Sequence, residues 1–244
     1  NNPERYWRNN IIGSLNLIKT AVHHNCLDFV FSSTCATYGD CDGILLTEKS
    51  PQYPKNAYGS TKKAVEEMLY HFSLSNGLKY VIFRYFNVAG ADPEGLIGEF
   101  HKPETHLIPL VLDAALGNRK HIKIFGTDYN TPDGTCIRDY VHVSDLVDAH
   151  ILGLKWIENG GPDRIYNLGI GKGFSVREVI KSVQKLTNKI VPVVECSRRS
   201  GDSANLVSSS ILVKEELGWN PIRSDLNQMI THAWKWHQTG FYER

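Results

Sequence analysis

The chain has 244 residues, of which 41% are hydrophobic and 22% are charged, so it has the composition of a globular protein with a substantial core. Its 27 basic and 26 acidic residues nearly balance, which gives no reason to expect nucleic acid or an anionic membrane as a partner. No apolar run approaches the roughly 18 residues of a membrane span.

The cysteines and histidines favour a reduced, metal-free protein. The five cysteines are odd in number and lack the spacing of zinc ligands, which is typical of free thiols in the cytoplasm. The ten histidines show no ligand cluster in the sequence. We therefore expect a cytoplasmic protein without a metal site.

The first part of the chain alternates helices and strands. Hydrophobic spacing predicts a helix over 3–24, and the apolar run 27–33 predicts a strand. A second amphipathic helix ends near Gly77, and a second apolar strand covers 79–87. This order predicts a parallel sheet with helices on both faces, which places the chain in the α/β class.

Beyond Gly90 a loop-like stretch leads into shorter elements. We expect helices at 107–118, within 140–159, from the Ser175–Glu178 capping box to about Thr187, at 209–219 ending at Gly218, and through Leu226–Trp234. We expect strands at 121–126, at the start of 140–159, at 163–169 and at 189–195.

Polar residues converge on the carboxyl edge of the predicted sheet. Ser32 and Thr34 end the first strand, and Asn87 ends the second. Tyr58 and Lys62 share one face of the intervening helix, because residues four apart are neighbours. Ligands of open α/β sheets bind at this edge, so these side chains predict a site.

Such a set suits proton transfer by a phenol. A free phenol has a pKa near 10, and lowering it by about 3 units takes about 4 kcal/mol. A nearby ammonium and a cofactor cation favour the phenolate, and the Thr34 hydroxyl could share the proton or orient a substrate. A tyrosine and a lysine at the spacing of Tyr58 and Lys62 are more often just an exposed pair on a helix. The hydroxyl residues at the end of the preceding strand favour a catalytic site instead.

Six segments carry a resemblance to a known family: FVFSSTCATYGD, NAYGSTKKAVEE, IFRYFNVAGADPEG, IKIFGTDYNTPDGTCIRDYVHVSDL, IYNLGIGKGFSV and RRSGD. In this order they resemble the UDP-glucose 4-epimerase family of extended short-chain dehydrogenases/reductases. The resemblance covers nearly the whole chain, and DGTCIRDYVHV and RRSGD are far more specific than the Tyr/Lys pair.

The resemblance implies that Tyr58 takes the proton of the sugar 4-hydroxyl while C4 gives a hydride to NAD. Lys62 would hold the nicotinamide ribose, and Thr34 would stand where the family often has serine. The 4-keto sugar would then turn on its diphosphate and take the hydride back on its other face.

The resemblance also implies a set of binding residues. The cofactor or sugar would contact Asn9, Ser32 and Tyr85. The nucleotide would contact Asn87, Arg138, Arg199 and Asp202 at its diphosphate, and Leu107, Lys123 and Phe125 at its uracil. His106 either belongs to this pocket or is simply exposed on the surface. Leu206 would gate the sugar pocket. The alternative role for Arg138 is a salt bridge to Asp139 or Asp145.

One glycine-rich turn could hold a pyrophosphate, but its position argues against it. Gly169, Gly171 and Gly173 lie between a strand and a helix. Compared with the G-x-G-x-x-G pattern of a dinucleotide-binding turn, the third glycine comes one position too early. The turn also follows the catalytic segment, whereas a dinucleotide-binding turn would precede it. We interpret it as a structural turn. The resemblance then implies that the family's glycine loop would precede Asn1, and it predicts an inactive N-terminal truncation.

The resemblance therefore implies an incomplete Rossmann-like, doubly wound parallel sheet with a smaller mixed α/β substrate-binding domain. We expect the NAD-binding part at 1–88 and the UDP-sugar-binding part mainly at 89–244, with about 139–170 returning to the Rossmann sheet. A homodimer is expected when the chain is complete.

Other functions stay open. A 4,6-dehydratase is disfavoured, because Cys35-Ala36 follows Thr34 where that class would carry Asp-Glu. Epimerases of UDP-N-acetylhexosamines or UDP-pentoses remain possible, as does a non-catalytic UDP-sugar-binding fragment.

Overall fold

A computed structural model describes residues 2–39, 45–199 and 201–240. The helices are α1 (Pro3–Tyr6), continued by a π-helical segment (Trp7–Ile12), α2 (Gly13–His23), α3 (Ala57–Asn76), α4 (Leu107–Leu116), α5 (Val143–Glu158), α6 (Val176–Thr187), α7 (Ile211–Leu217) and α8 (Leu226–His237). The strands are β1 (Asp28–Thr34), β2 (Lys79–Tyr85), β3 (Asn87–Ala89), β4 (Ile122–Phe125), β5 (Ile137–His142), β6 (Arg164–Leu168), β7 (Gly173–Ser175), β8 (Val193–Cys196) and β9 (Asn205–Leu206).

The larger parallel unit is a sheet of order β1-β2-β6. Successive residues of β2 face opposite sides, so Ile82 packs with α2 and α3 while Phe83 packs with α5 and α7. Both faces are thereby covered by helices, as the apolar strands predict. The predicted parallel α/β layering is present.

A second sheet lies beyond the carboxyl end of β2. It has the order β3-β5-β7, with β9 paired to β5, and the strands β4 and β8 form a separate parallel pair. The helices α4, α6 and α8 share a core with β4 in this half. The expected boundary between two parts at residue 88 stays a prediction, although β6 from the second half pairs with β2.

Three elements differ from the sequence prediction. The helix expected over 3–24 contains the π-helical segment, which hydrophobic spacing cannot reveal. The strand expected over 79–87 breaks at Phe86, whose amide donates to the Leu168 carbonyl, and β3 then pairs with β5. The strand expected at 189–195 covers only Val193–Cys196, after Pro192, which has no amide hydrogen.

The short strands β7 and β9 carry no periodic signal because they have only three and two residues. Among the described residues, no helix combines the length and the apolar character needed to cross a membrane.

Candidate active site

A cavity of about 760 Å³ opens at the carboxyl ends of β1 and β2. It extends over β3 to the start of α4 and the first turns of α5. Six of the residues predicted for the site line it: Thr34, Tyr58, Tyr85, Asn87, His106 and Leu107. The sequence-based prediction that a site lies at the carboxyl ends of the strands therefore agrees with the position of this cavity.

The start of α3 brings Tyr58 to Thr34. The Asn56 side chain caps the helix by accepting from the Gly59 amide at 2.8 Å. A Cβ at Gly59 would lie 2.3 Å from the Ala36 backbone oxygen, so only glycine lets the helix start pack on the turn after β1. Thr34 and Tyr58 thereby line the same cavity, and the Thr34 hydroxyl acts to lower the pKa of the Tyr58 phenol.

Lys62 lies one helical turn beyond Tyr58. Its ammonium donates to the Ser32 carbonyl at 2.9 Å and lies 5.9 Å from the centroid of the Tyr58 ring. It also lines a separate cavity of about 250 Å³ together with Asn9 of the π-helical segment. An ammonium has three donors, so Lys62 retains donors for a ligand such as ribose hydroxyls.

Burial controls the protonation of this pair. It raises the pKa of the Tyr58 phenol above its usual value, and the Thr34 hydrogen bond opposes the rise. Burial also lowers the pKa of Lys62, which Glu66 opposes. The expected lowering of the phenol pKa by Lys62 is therefore not found, because burial raises this pKa in the protein alone, and a phenolate here needs a further positive charge.

The other residues expected near the cofactor form hydrogen bonds around the same strand ends. The Ser32 hydroxyl lies 3.2 Å from His150 Nε2. Burial raises the pKa of Tyr85, and Ser32 opposes the rise. Asn9 donates to Asn10 at 3.3 Å, and Asn10 donates to Thr61 of α3 at 2.9 Å. The π-helical segment is therefore tied to the helix that carries Tyr58.

Cys35 is a cavity residue that sequence reasoning missed, although it directly follows Thr34. Burial raises the pKa of its thiol to about 11, so the thiol is neutral near pH 7. Arg138 is close enough to oppose this rise electrostatically. Cys35 therefore lies between the tyrosine and the residues predicted to hold a diphosphate.

The residues predicted to hold the nucleotide form a second group. The Arg199 guanidinium lies 4.8 Å from the Phe125 ring centroid and bonds to Asp202 at 2.8 Å. Arg138 lies 3.9 Å from the same carboxylate and donates to the Ser203 carbonyl at 2.8 Å. Two arginines thus meet at one aspartate, an arrangement suited to phosphate oxygens.

Lys123 and Leu206 flank this second group. Lys123 is exposed and lies two residues before Phe125, on the same face of β4. Leu206 pairs with Arg138 in the sheet and packs on the cluster that contains Phe86, a cavity residue.

The alternative in which Arg138 forms a salt bridge with Asp139 or Asp145 is wrong. Asp145 pairs with Arg223 at 3.3 Å instead. Asp139 is fully buried and accepts from the amides of Ile170 at 2.8 Å and Gly171 at 3.1 Å. Ile170 and Gly171 belong to the glycine-rich turn, so two of its amides already bind a carboxylate of the protein. We therefore interpret this turn as structural.

The expectation that the histidines form no cluster is wrong. Glu99, His101, Glu104 and His106 each place one potential metal-ligating atom within 4.8 Å of the others. His106 precedes α4 and is 56% exposed, yet it also lines the cavity, so both of its expected environments hold in part. The pattern E-x-H-x-x-E-x-H in the sequence was the available signal.

A phenol and a threonine hydroxyl at one cavity wall, with a lysine one turn after the tyrosine at the carboxyl edge of a parallel sheet, form the arrangement expected of a short-chain dehydrogenase/reductase. The sequence matches the NAD-dependent epimerase/dehydratase family over residues 1–169. The chain belongs to this family.

Individual relatives show which proteins of this family the chain resembles. The chain is 49% identical over 236 residues to the UDP-glucose 4-epimerase of Halalkalibacterium halodurans, covering 97% of this chain and 71% of that protein. A crystal structure of a UDP-glucose 4-epimerase superposes with a TM-score of 0.94 at 54% identity, covering 97% of this chain and 72% of that one. The enzyme from Brucella ovis in complex with NAD gives 0.93 at 43% identity, covering 95% and 71%.

These matches confirm the family predicted from the motifs and the Rossmann-like α/β fold. They also confirm that the chain belongs among enzymes, as an epimerase and therefore an isomerase.

Proposed function

We propose that this protein interconverts UDP-glucose and UDP-galactose by transient oxidation at the sugar C4, with NAD as cofactor. The observation that carries the proposal is that Thr34 and Tyr58 line one cavity of about 760 Å³, with Lys62 one helical turn after Tyr58. The similarity to UDP-glucose 4-epimerases over 97% of the chain supports this substrate class.

The residues fit the nicotinamide end of the cofactor. Lys62 and Asn9 line one small cavity, and Ser32 and Tyr85 lie at the adjoining strand ends. When bound, NAD supplies a reversible hydride acceptor and a positive charge. That charge favours the phenolate form of Tyr58, which burial otherwise disfavours.

The proton steps use Tyr58 and Thr34. The Tyr58 oxygen accepts the proton of the sugar 4-hydroxyl as C4 is oxidised, and it returns the proton when C4 is reduced. The Thr34 hydroxyl bonds to this oxygen and stabilises its negative charge. Because the same proton is taken and returned, the reaction is neutral overall and the protein needs a single acid–base group.

The second group holds the nucleotide. Arg138 and Arg199 bind the diphosphate, with Asn87 at the cavity end of this path, and Asp202 keeps the two guanidinium groups together. Leu107, Lys123 and Phe125 form the uracil pocket, and His106 contributes to the cavity wall. A firmly held nucleotide lets the 4-keto sugar turn about its diphosphate and present either face.

The width of the sugar pocket depends on Leu206. It packs on the cluster that contains Phe86, which lines the cavity, so a larger or smaller side chain there moves that wall. Leucine is intermediate in size between a tyrosine, which narrows the pocket, and a small residue, which admits N-acetyl groups. We expect UDP-glucose and UDP-galactose as main substrates and weak use of N-acetylated ones.

The test is an assay of the protein as its source organism makes it, supplied with NAD. Conversion of UDP-galactose should be clearly faster than conversion of UDP-N-acetylgalactosamine. Absence of conversion with NAD and UDP-galactose would refute the proposed reaction, and equal specificity constants would refute the assignment of Leu206.

Three further predictions concern context. We propose that the protein acts in galactose metabolism in the cytoplasm and forms a homodimer. Trp7, Ile12 and Leu17 near the amino terminus are exposed, and such side chains suit a contact with a second copy. Sedimentation of the naturally produced protein measures the oligomeric state, and a monomer would contradict the dimer.

A further inference from the structure

The segment between β3 and α4 gathers four metal-ligating side chains at the cavity. Glu99 and His106 line the cavity, and His101 and Glu104 lie behind them. The His106 Nδ1 is 3.3 Å from a Glu104 oxygen and 2.5 Å from a Glu99 oxygen, and the His101 Nδ1 is 3.8 Å from the same Glu104 oxygen.

These separations suit a tetrahedral ion. Bonds of about 2.0–2.1 Å from Zn²⁺ to nitrogen and oxygen place neighbouring ligand atoms about 3.3 Å apart. The His106–Glu104 separation of 3.3 Å already has this value, and the His106–Glu99 and His101–Glu104 separations differ from it by less than an ångström. All four ligand atoms lie within 4.8 Å of one another, so side-chain rotations would have to bring them to one centre.

Glu104 supplies independent evidence for a ligand. Its side chain is only 7% exposed, and its Oε2 atom is buried without a hydrogen-bond partner among the residues that the structure describes. The other oxygen accepts from the amides of Thr105 at 2.6 Å and His106 at 2.8 Å, which fixes the carboxylate. A buried carboxylate oxygen without a partner is costly, and a cation removes that cost.

The surroundings are held in place and are acidic. The Glu99 carbonyl accepts from the Trp236 indole at 2.9 Å, which anchors the segment to α8. A Cβ at Gly98 would lie 2.2 Å from that indole, so only glycine permits this close packing. Asp113 stands nearby, where burial raises its pKa, His237 and Arg119 oppose the rise, and the Glu104 charge adds to it. A cation would offset this local excess of carboxylates.

We propose that Glu99, His101, Glu104 and His106 bind a divalent transition metal, with Zn²⁺ as the preferred ion. Two imidazoles and two carboxylates match the ligand preferences of Zn²⁺ better than those of Mg²⁺ or Ca²⁺, which favour oxygen-only sites. The ion joins the segment 99–104 to the start of α4. It thereby fixes one wall of the sugar cavity.

The test uses untagged, naturally produced protein dialysed against a chelator and titrated with ZnCl₂ by calorimetry, with no nucleotide added. We expect one equivalent to bind and to slow hydrogen exchange at the amides of residues 99–106. Titration with CoCl₂ should give the intense visible absorption of a tetrahedral site. His101→Ala, at a side chain that is 51% exposed, should weaken Zn²⁺ binding by about 100-fold without unfolding the protein.

A matched control separates this site from other histidines and thiols. His71 is exposed on α3, outside the cluster, and His71→Ala should leave Zn²⁺ binding unchanged. Glu104→Gln should weaken binding as His101→Ala does. Equal affinity in the parent protein and His101→Ala, or binding no tighter than millimolar, would overturn the proposal. These measurements do not depend on epimerase activity, so they stand apart from the proposed reaction.

Discussion

Replacing Tyr58 by phenylalanine removes the proton acceptor and keeps the ring. General acid–base catalysis contributes roughly 100- to 10,000-fold, so kcat should fall by this factor, equivalent to about 3–5 kcal/mol of the barrier. The nucleotide group around Arg138 and Arg199 is separate from the phenol, so the affinity for UDP should not change.

The same change should cost little stability. A hydrogen bond of the phenol is worth about 1 kcal/mol, and the Thr34 hydroxyl still accepts from the Ala36 amide at 3.2 Å. Tyr38 is the matched control, because its hydroxyl donates to the buried Asn167 side chain at 2.7 Å and accepts from Arg84 at 3.0 Å. Tyr38→Phe leaves these groups with fewer partners and should lower the free energy of unfolding by about 1–3 kcal/mol.

The two variants should therefore dissociate activity from stability. Turnover is measured by coupling UDP-glucose formation to UDP-glucose dehydrogenase, UDP affinity by calorimetry, and stability by denaturant unfolding. Tyr58→Phe should lose turnover and keep stability, whereas Tyr38→Phe should keep turnover and lose stability. A Tyr58→Phe protein that turns over within tenfold of the parent would refute Tyr58 as the essential acid–base group.

Three further changes test neighbouring groups. Lys62→Met should lower kcat and weaken NAD binding at least tenfold, since one ammonium serves both roles, as cofactor titration and turnover would measure. Glu66→Gln breaks a buried ion pair with Arg84, with a closest approach of 2.5 Å, and should lower the free energy of unfolding by about 3–5 kcal/mol in a denaturant titration. Leu206→Ala should raise the specificity constant for UDP-N-acetylgalactosamine relative to UDP-galactose.

For each of these three predictions, one outcome would contradict it. Unchanged NAD affinity in Lys62→Met would remove the lysine from the cofactor site. A Glu66→Gln protein as stable as the parent would mean that the ion pair contributes nothing net. An unchanged substrate ratio in Leu206→Ala would show that this residue does not set the pocket width.

The sequence sufficed for the parts of the site that depend on local spacing and strand order. Tyr58 and Lys62 share a helical face, and Thr34 ends a strand, so their convergence with Asn87 follows from the topology of a parallel sheet. The environment of the phenol could not be predicted in the same way. Its pKa depends on burial by residues distant in sequence, such as Tyr6, whose ring centroid lies 5.8 Å away.

Loops and helix irregularities were less predictable. The Glu99–His106 segment lies between elements and has no hydrophobic periodicity, so its E-x-H-x-x-E-x-H pattern brings the four residue types close in sequence but does not fix the backbone path on which their side chains meet. The π-helical segment has the same apolar spacing as an ordinary helix. Asp139 was considered as a partner for Arg138, but the three backbone amides that donate to its carboxylate are brought there by tertiary contacts alone.

The helix that carries the reacting phenol is clamped to the sheet one turn beyond its lysine. Glu66 is four residues after Lys62, so it shares the face of α3 that looks onto the strands, and it bonds there to Arg84 and to the Ser33 hydroxyl. Sliding α3 along the sheet would require these buried contacts to break together. Heat should therefore not loosen the catalytic end of the helix first, and thermal inactivation should coincide with global unfolding.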